Sequence, residues 1–426
     1  MGVTFFAVAQ TLLRAFTAIN IKPAILRAVA CSVVICLIVV DIPGARIGNG
    51  VCDYMMGATM ASGILDSIHF LLLTRPLEEI RHESDKLPAY QLPFIQRYLW
   101  VSSITPRGIG WSFGADHFLV PVGPHHRTRT SFVASRLRRI FVHYLLFEVA
   151  LLYTRCNPVF ASTASLSSQG YLLLCLNMAA IPTQLYAGLT CLHSALAVVA
   201  VGTGLHEPRL WPGPFGRWKD AYTIRRFWDR SWHQFTRMNL TLFGPHRRRH
   251  HPWDTSYESS SHRTTERESR VTSYFRICNA FVCSTFIHLC GDIVIQFRIW
   301  EKSSSMGIPS SGGTDVANMI GFSIPFYIVQ PLGVLLEAAV MQVGKLLGLK
   351  GGLWMKMFGY AWVTLWLSVT ALPWLDGLKN ASYAAYPPLE RGAETGTTLI
   401  EGVLNKVFGI NLSATISTWF ATLGST

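Results

Sequence analysis

Runs of about twenty mostly apolar residues, separated by polar and basic loops, constrain this chain more than any other feature. A bilayer's hydrocarbon core is about 30 Å thick, and a helix rises about 1.5 Å per residue, so roughly 20 residues cross it. Stretches of that kind lie near residues 24–43, 53–74, 139–156, 171–203, 277–297, 317–343 and 353–375, with a weaker amphipathic stretch at 403–424. The run 171–203 is too long for one straight crossing and contains Pro182, which leaves a kinked helix, a half-helix plus a crossing, or two crossings open. The expectation is therefore an all-α, multi-pass membrane protein with seven to nine crossings.

Composition agrees. Of 426 residues, 50% are hydrophobic and 14% charged, outside the balance of a soluble domain. One membrane domain spanning 1–426 is expected: helices and a basic loop in 1–203, a central region in 204–375, and an amphipathic tail in 376–426. The net charge of +13 collects in loops beside apolar runs, where it meets anionic headgroups or an anionic small molecule rather than nucleic acid. Both long polar loops, 75–138 and 204–275, are rich in Arg and are expected on the cytosolic side. Nine scattered cysteines form neither a zinc spacing nor a disulfide framework. The first twenty residues lack a basic start and a small-residue cleavage site, and are read as retained in the membrane.

Two stretches carry chemistry. The first is FWDRSWHQFTRMNL, residues 227–240. On an α-helix, Arg226, Arg230, His233 and Arg237 recur at i, i+4, i+7 and i+11, and Trp228, Trp232 and Phe235 occupy another flank. Such a helix belongs in the membrane interface, aromatics at headgroup depth. Anchoring explains the arginines and aromatics, whereas His233 asks for another reason. The second stretch is RICNAFVCSTFIHLCGDIVIQF, residues 276–297, where Ser284, His288, Asp292 and Gln296 recur every four residues as one polar stripe. Ionisable groups at bilayer depth cost a few kcal/mol and usually face a protein interior or wet cavity. An imidazole accepts protons near neutral pH, and a carboxylate one turn away can orient it, a role that falls to Asp292. Gln330 and Glu337, seven residues apart, are expected to line the same cavity. Asp66 with His69, His143 with Glu148, and His193 read as packing.

RRFWDRSWHQFTR at 225–237, FVCSTFIHLCGD at 281–292 and QPLGVLLE at 330–337 together resemble the wax-synthase-like branch of the membrane-bound O-acyltransferases. Over about residues 205–375 the chain looks most like fungal members that acetylate hydroxyls on terpenoids and related secondary metabolites. Asp229 stands where that branch usually has Gly. The resemblance implies helices around an intramembrane tunnel with a catalytic base at His288, and a second functional position at His233 that holds the donor or polarises its thioester. It also implies transfer from acetyl-CoA to a lipophilic alcohol in the endoplasmic reticulum membrane, with no metal and no bound cofactor. An activated thioester needs only a base to deprotonate the attacking hydroxyl. Arg226, Arg230 and Arg237, with Trp228, Trp232 and Gln234, then serve the CoA, and Ser284, Gln330 and Glu337 complete the substrate-binding set. The rivals are a wax-ester synthase using long-chain acyl-CoA, a transporter of anionic amphiphiles, and a di-iron desaturase. The last rests on HRRRHH at 246–251, a single histidine box where such a site needs about three.

Overall fold

A helix satisfies its own backbone N–H and C=O groups, which lets a single segment stand in hydrocarbon, and helix is what the apolar runs form. The computed structural model describes residues 4–104, 108–112, 128–232, 234, 240, 270–305, 321–349, 351–385, 401–402, 405–406 and 412–423. In chain order its longer helices are α1 (Thr4–Ile19), α2 (Ala24–Asp41), α3 (Gly50–Ile68), α4 (Phe94–Ser102), α5 (Arg129–Cys156), α6 (Tyr171–Gly202), α7 (Arg270–Ser305), α8 (Ile324–Leu346), α9 (Leu353–Thr370), α10 (Leu372–Ala385) and α11 (Leu412–Leu423). Among the described residues β-structure is limited to one bridge, His82 to Trp111.

Among the described residues five spans are long and apolar enough to cross a membrane: Ala24–Gly44, Gly50–Leu73, Tyr171–Gly202, Ser273–Lys302 and Ile324–Leu346. Counting α9 and α10, bent by 47°, as one broken span makes six. The gap from the expected seven to nine has two sources. The 28-residue α5 is long enough at about 42 Å, but Arg136, Arg138, Arg139, Glu148 and Arg155 make it too charged to pass as an apolar span. The 12-residue α11 is too short. The run with Pro182 is one continuous helix of 32 residues, so its excess length is absorbed by tilt or by emergence from the hydrocarbon.

The chain packs as two compact units. One comprises Met1–Phe118 and Phe235–Leu335, and its centre is the crossing of α3 with α7. A Cβ placed on Gly57 would meet the Cys290 carbonyl and lie 2.8 Å from Gly291 Cα, and one on Gly291 would lie 2.8 Å from the Tyr54 ring. These two glycines let the backbones touch, the small-residue solution to helix association in lipid. Ala58, Ala61, Cys283, Ile287 and Cys290 fill the seam around them. α1 and α2 pack beside it through Leu13, Val34 and Ile38. Arg27 reaches from α2 to the carbonyls of Leu71 (2.7 Å) and Thr74 (2.8 Å), closing the π-helical turn His69–Leu73 that ends α3's span. An apolar groove of about 610 Å³, lined by Phe5, Ile25, Val29, Val33 and Val40, opens along α1 and α2. Part of the loop after residue 75 is folded: Trp100 packs edge-on against Trp111 at 4.9 Å and donates to Asp85 at 3.0 Å.

The other unit comprises Leu119–Gln234 and Leu336–Thr426. α5 lies along α6, with Phe132, Ala197 and Val201 between them. At one end Asn157 donates to Asn177 (2.8 Å), which also accepts from the Tyr153 hydroxyl (2.6 Å). Asp376 of α10 receives the Leu166 N–H (2.8 Å), and buried Lys379 donates to the Val159 carbonyl (3.2 Å). Phe420 of α11 rests against Tyr153, and Arg155 pairs with Glu401 at 3.1 Å.

Gly57→Ala is expected to destabilise the protein by about 1–3 kcal/mol, the usual cost of overpacking, whereas Gly44→Ala, with open space around its Cβ, leaves stability unchanged. Thermal midpoints of the two variants in detergent check the contrast.

Candidate active site

The polar stripe of α7 sits in the Gly57–Gly291 seam. Ser284 and Asp292 are buried and His288 is half-buried. The seam brings Tyr54 of α3 to His288, its hydroxyl 2.7 Å from Nδ1. Tyr327 of α8 lies face to face with the same imidazole, centroids 4.1 Å apart and planes 10° from parallel. Tyr54 itself is 2% exposed and stacks on Phe322 at 6.3 Å. An imidazole held by a hydrogen bond and a stacked ring has a fixed orientation.

Asp292 does something other than orient His288. Its Oδ2 accepts from Ser323 twice, from the backbone N–H (3.1 Å) and the hydroxyl (2.7 Å), while Oδ1 has no hydrogen-bond partner among the described residues. Ser323 immediately precedes α8, where helix-start N–H groups attract a carboxylate. Its own carbonyl accepts from the Tyr327 N–H (3.3 Å). The chain Asp292, Ser323, Tyr327 thus sets the ring that covers His288. Gln330 is fully buried, and its amide donates back to the Phe326 carbonyl at 3.0 Å.

In the other unit, the FWDRSW motif departs from the α-helical register assumed for it. After a single α-turn, Ile224–Arg226, residues Phe227–Trp232 form a π-helix. Residues i and i+5 align in that geometry, and Phe227 and Trp232 stack accordingly, 10° from parallel with centroids 6.2 Å apart. Trp228 is buried by protein, with Ser231 and Gln234. Tyr186, Phe215 and Trp218 extend the aromatic cluster: Tyr186 is 4.8 Å from Phe215, and Phe215 is 5.4 Å from Trp232. Arg225 and Arg230 are exposed, and Arg226 lies 4.5 Å over the Tyr222 ring. Hydrogen bonds from both sides hold the turn. Thr223 caps it through the Arg226 N–H (3.1 Å), Gln234 donates to the Asp229 carbonyl, and Gly216 donates to the Ser231 carbonyl (3.0 Å).

Glu337 is corrected by this geometry. Instead of lining a cavity with Gln330, its carboxylate accepts the N–H groups of Ile224 (2.5 Å) and Arg225 (3.4 Å), donors that the first turn of a helix leaves unsatisfied. His143, read as packing with Glu148, has Nδ1 at 2.9 Å from the Arg139 carbonyl and Nε2 at 3.3 Å from the Tyr186 hydroxyl, which ties it to the motif's aromatic cluster. His233, Arg237 and the HRRRHH tract lie outside the described residues. Tyr54 and Tyr327 were missed by sequence reasoning. The signal that points toward them is GATMASG at 57–63 of α3, small residues of the kind that permit a close helix crossing, although nothing in the sequence names the partner helix.

Residues 211–308, which contain both the FWDRSW motif and His288, match the membrane bound O-acyl transferase family. The acetyltransferase ple2 of Rhodocybe pseudopiperita is 28% identical over 355 residues, 82% of this chain and 85% of its own. The acetyltransferase eriL of Hericium erinaceus is 26% identical over 72% of this chain and 73% of its own. The acetyltransferase pyr8 of Aspergillus fumigatus is 26% identical over 74% and 72%. No solved structure matches the chain.

A methyl group on Gly216 would overlap the Arg230 carbonyl, whereas one on Gly188 of α6 meets only Phe147 at 3.8 Å. Gly216→Ala is expected to lower stability by about 1–3 kcal/mol, and Gly188→Ala to leave it equal or higher, since Ala is the better helix former. Unfolding monitored by Trp fluorescence separates the two.

Proposed function

We propose that the chain is an acyltransferase like those of the membrane bound O-acyl transferase family that its residues 211–308 match, and that it moves acetyl from acetyl-CoA to a hydroxyl of a hydrophobic, terpenoid-type alcohol. The observation that carries the reading is His288: an ionisable ring on a membrane-spanning helix, bonded to Tyr54 and covered by Tyr327. Such a placement is expensive and suits a reaction that needs one base in apolar surroundings. His288 takes the proton of the acceptor hydroxyl as its oxygen attacks the thioester carbonyl. The C–S bond then breaks, and the departing CoA thiolate takes the proton back from the imidazolium. No covalent enzyme intermediate is needed.

Acetyl as the transferred group is supported by relatives named acetyltransferases. The donor-binding role is assigned to the FWDRSW motif. Exposed Arg225 and Arg230, with Arg226 and Arg237, offer cations to the CoA phosphates, and Trp228, Trp232 and Gln234 build the turn that presents them. His233 polarises the thioester carbonyl or orients the donor. Ser284 and Gln330 stand on the acceptor side. Asp292 and Glu337 act as anchors, the first of Tyr327 and the second of the motif. An acceptor this apolar partitions into the bilayer, which supports a site within a membrane; the endoplasmic reticulum, whose cytosolic face meets acetyl-CoA, is the membrane assigned to it.

Membranes carrying the protein, given labelled acetyl-CoA and a panel of terpenoid alcohols, are expected to form an acetate ester. His288→Ala should slow it by about 10²–10⁴-fold, the range for loss of a general base. Undiminished ester formation in that variant removes His288 from the chemistry. Preference for palmitoyl-CoA and fatty alcohols would make the chain a wax-ester synthase instead.

A further inference from the structure

A neutral imidazole carries one proton, and it serves as a base only through the nitrogen that lacks it. The usual device for fixing that choice is a carboxylate on the other nitrogen, and Asp292, one turn away, is engaged by Ser323 instead. The group at Nδ1 is the Tyr54 hydroxyl, 2.7 Å away. Its position is set by backbone rather than by side-chain choice. Gly291 has no side chain and so leaves room for the Tyr54 ring, whose Cδ2 lies 2.8 Å from where a Cβ would stand, and Phe322 stacks on that ring. The hydroxyl therefore stays where Nδ1 meets it.

We propose that Tyr54 is the positioning residue for His288: its phenol oxygen accepts the Nδ1–H, which leaves the Nε2 lone pair to take the proton of the acceptor alcohol. The proposal rests on His288 being the base. During transfer the alcohol O–H proton moves to Nε2, the ring becomes an imidazolium still donating Nδ1–H to Tyr54, and Nε2 releases its proton to the CoA thiolate. Tyr54 remains a neutral phenol throughout. An uncharged orienting group places no second permanent charge in this part of the membrane, where each one is costly.

The test compares wild type, Tyr54→Phe, His288→Ala and the double variant, all as full chains in membranes, by kcat and KM for acetyl-CoA and for one accepted terpenoid alcohol. Tyr54→Phe is expected to lower kcat by about ten- to hundredfold, the scale seen when the hydrogen-bond partner of a metal-bound histidine is lost, with both KM values within about twofold. Added to His288→Ala it should cause no further loss, because Tyr54 acts only through that ring. An unchanged kcat in Tyr54→Phe beside an inactive His288→Ala overturns the role of Tyr54 and leaves the base in place. Full activity of His288→Ala overturns the base itself. An equal loss in both backgrounds shows that Tyr54 acts independently of His288, and also overturns the proposal. If Tyr54→Phe fails to accumulate, Phe322→Leu keeps the hydroxyl and removes the ring stacked on it. A severalfold fall in kcat at constant KM is then expected, and an unchanged kcat counts against the proposal.

Discussion

The contact between Gly57 and Gly291 is what the arrangement around His288 depends on. Lipid tails are as apolar as leucine, so helices in a bilayer gain little from burying aliphatic side chains against each other and more from close backbone approach. With a Cβ at either position the two helices would have to part. The Tyr54 hydroxyl, 234 positions from His288 in sequence, would then be carried away from the imidazole. Two absent side chains thereby specify a hydrogen bond between two present ones.

The FWDRSW motif depends on a different kind of restraint. A π-turn has poorer hydrogen-bond geometry than an α-turn and persists where its surroundings favour it. Here the Glu337 carboxylate holds the N–H groups at its start, and Gly216 lies against its end. The result stacks Phe227 on Trp232 and leaves Arg225 and Arg230 outside. Two buried carboxylates, Asp292 and Glu337, thus do the same job in their separate units, each fastening the start of a helical segment on which aromatic side chains are displayed.

Much of this was legible in the residues. The ruler of roughly 20 apolar residues placed α2 at 24–43, against Ala24–Asp41 in the structure. The four-residue recurrence identified the stripe of Ser284, His288 and Asp292 because periodicity within one helix is a local property. Which helix faces that stripe is not local, so Tyr54 and Tyr327 went unseen, and Asp292 was matched to its sequence neighbour His288 when its hydroxyl partner was Ser323. The motif's register failed for the same reason, since Glu337 and Gly216 decide it from outside. Its apparent α-helical spacing carried no sign of the π-turn. The crossing near 139–156 is the least legible by composition, because α5 mixes apolar residues with the arginines at 136, 138 and 139.

The parallel stacking of Tyr327 on His288 has a geometric consequence for any acceptor. A nitrogen lone pair lies in the plane of the imidazole, so a ring covered on one face receives its partner edge-on. A hydroxyl projecting from the rim of a rigid polycycle can be offered along that plane, whereas one recessed among bulky substituents collides with the phenol ring first. Under the role proposed for His288, regioselectivity would be decided by how far a hydroxyl stands clear of its own carbon skeleton.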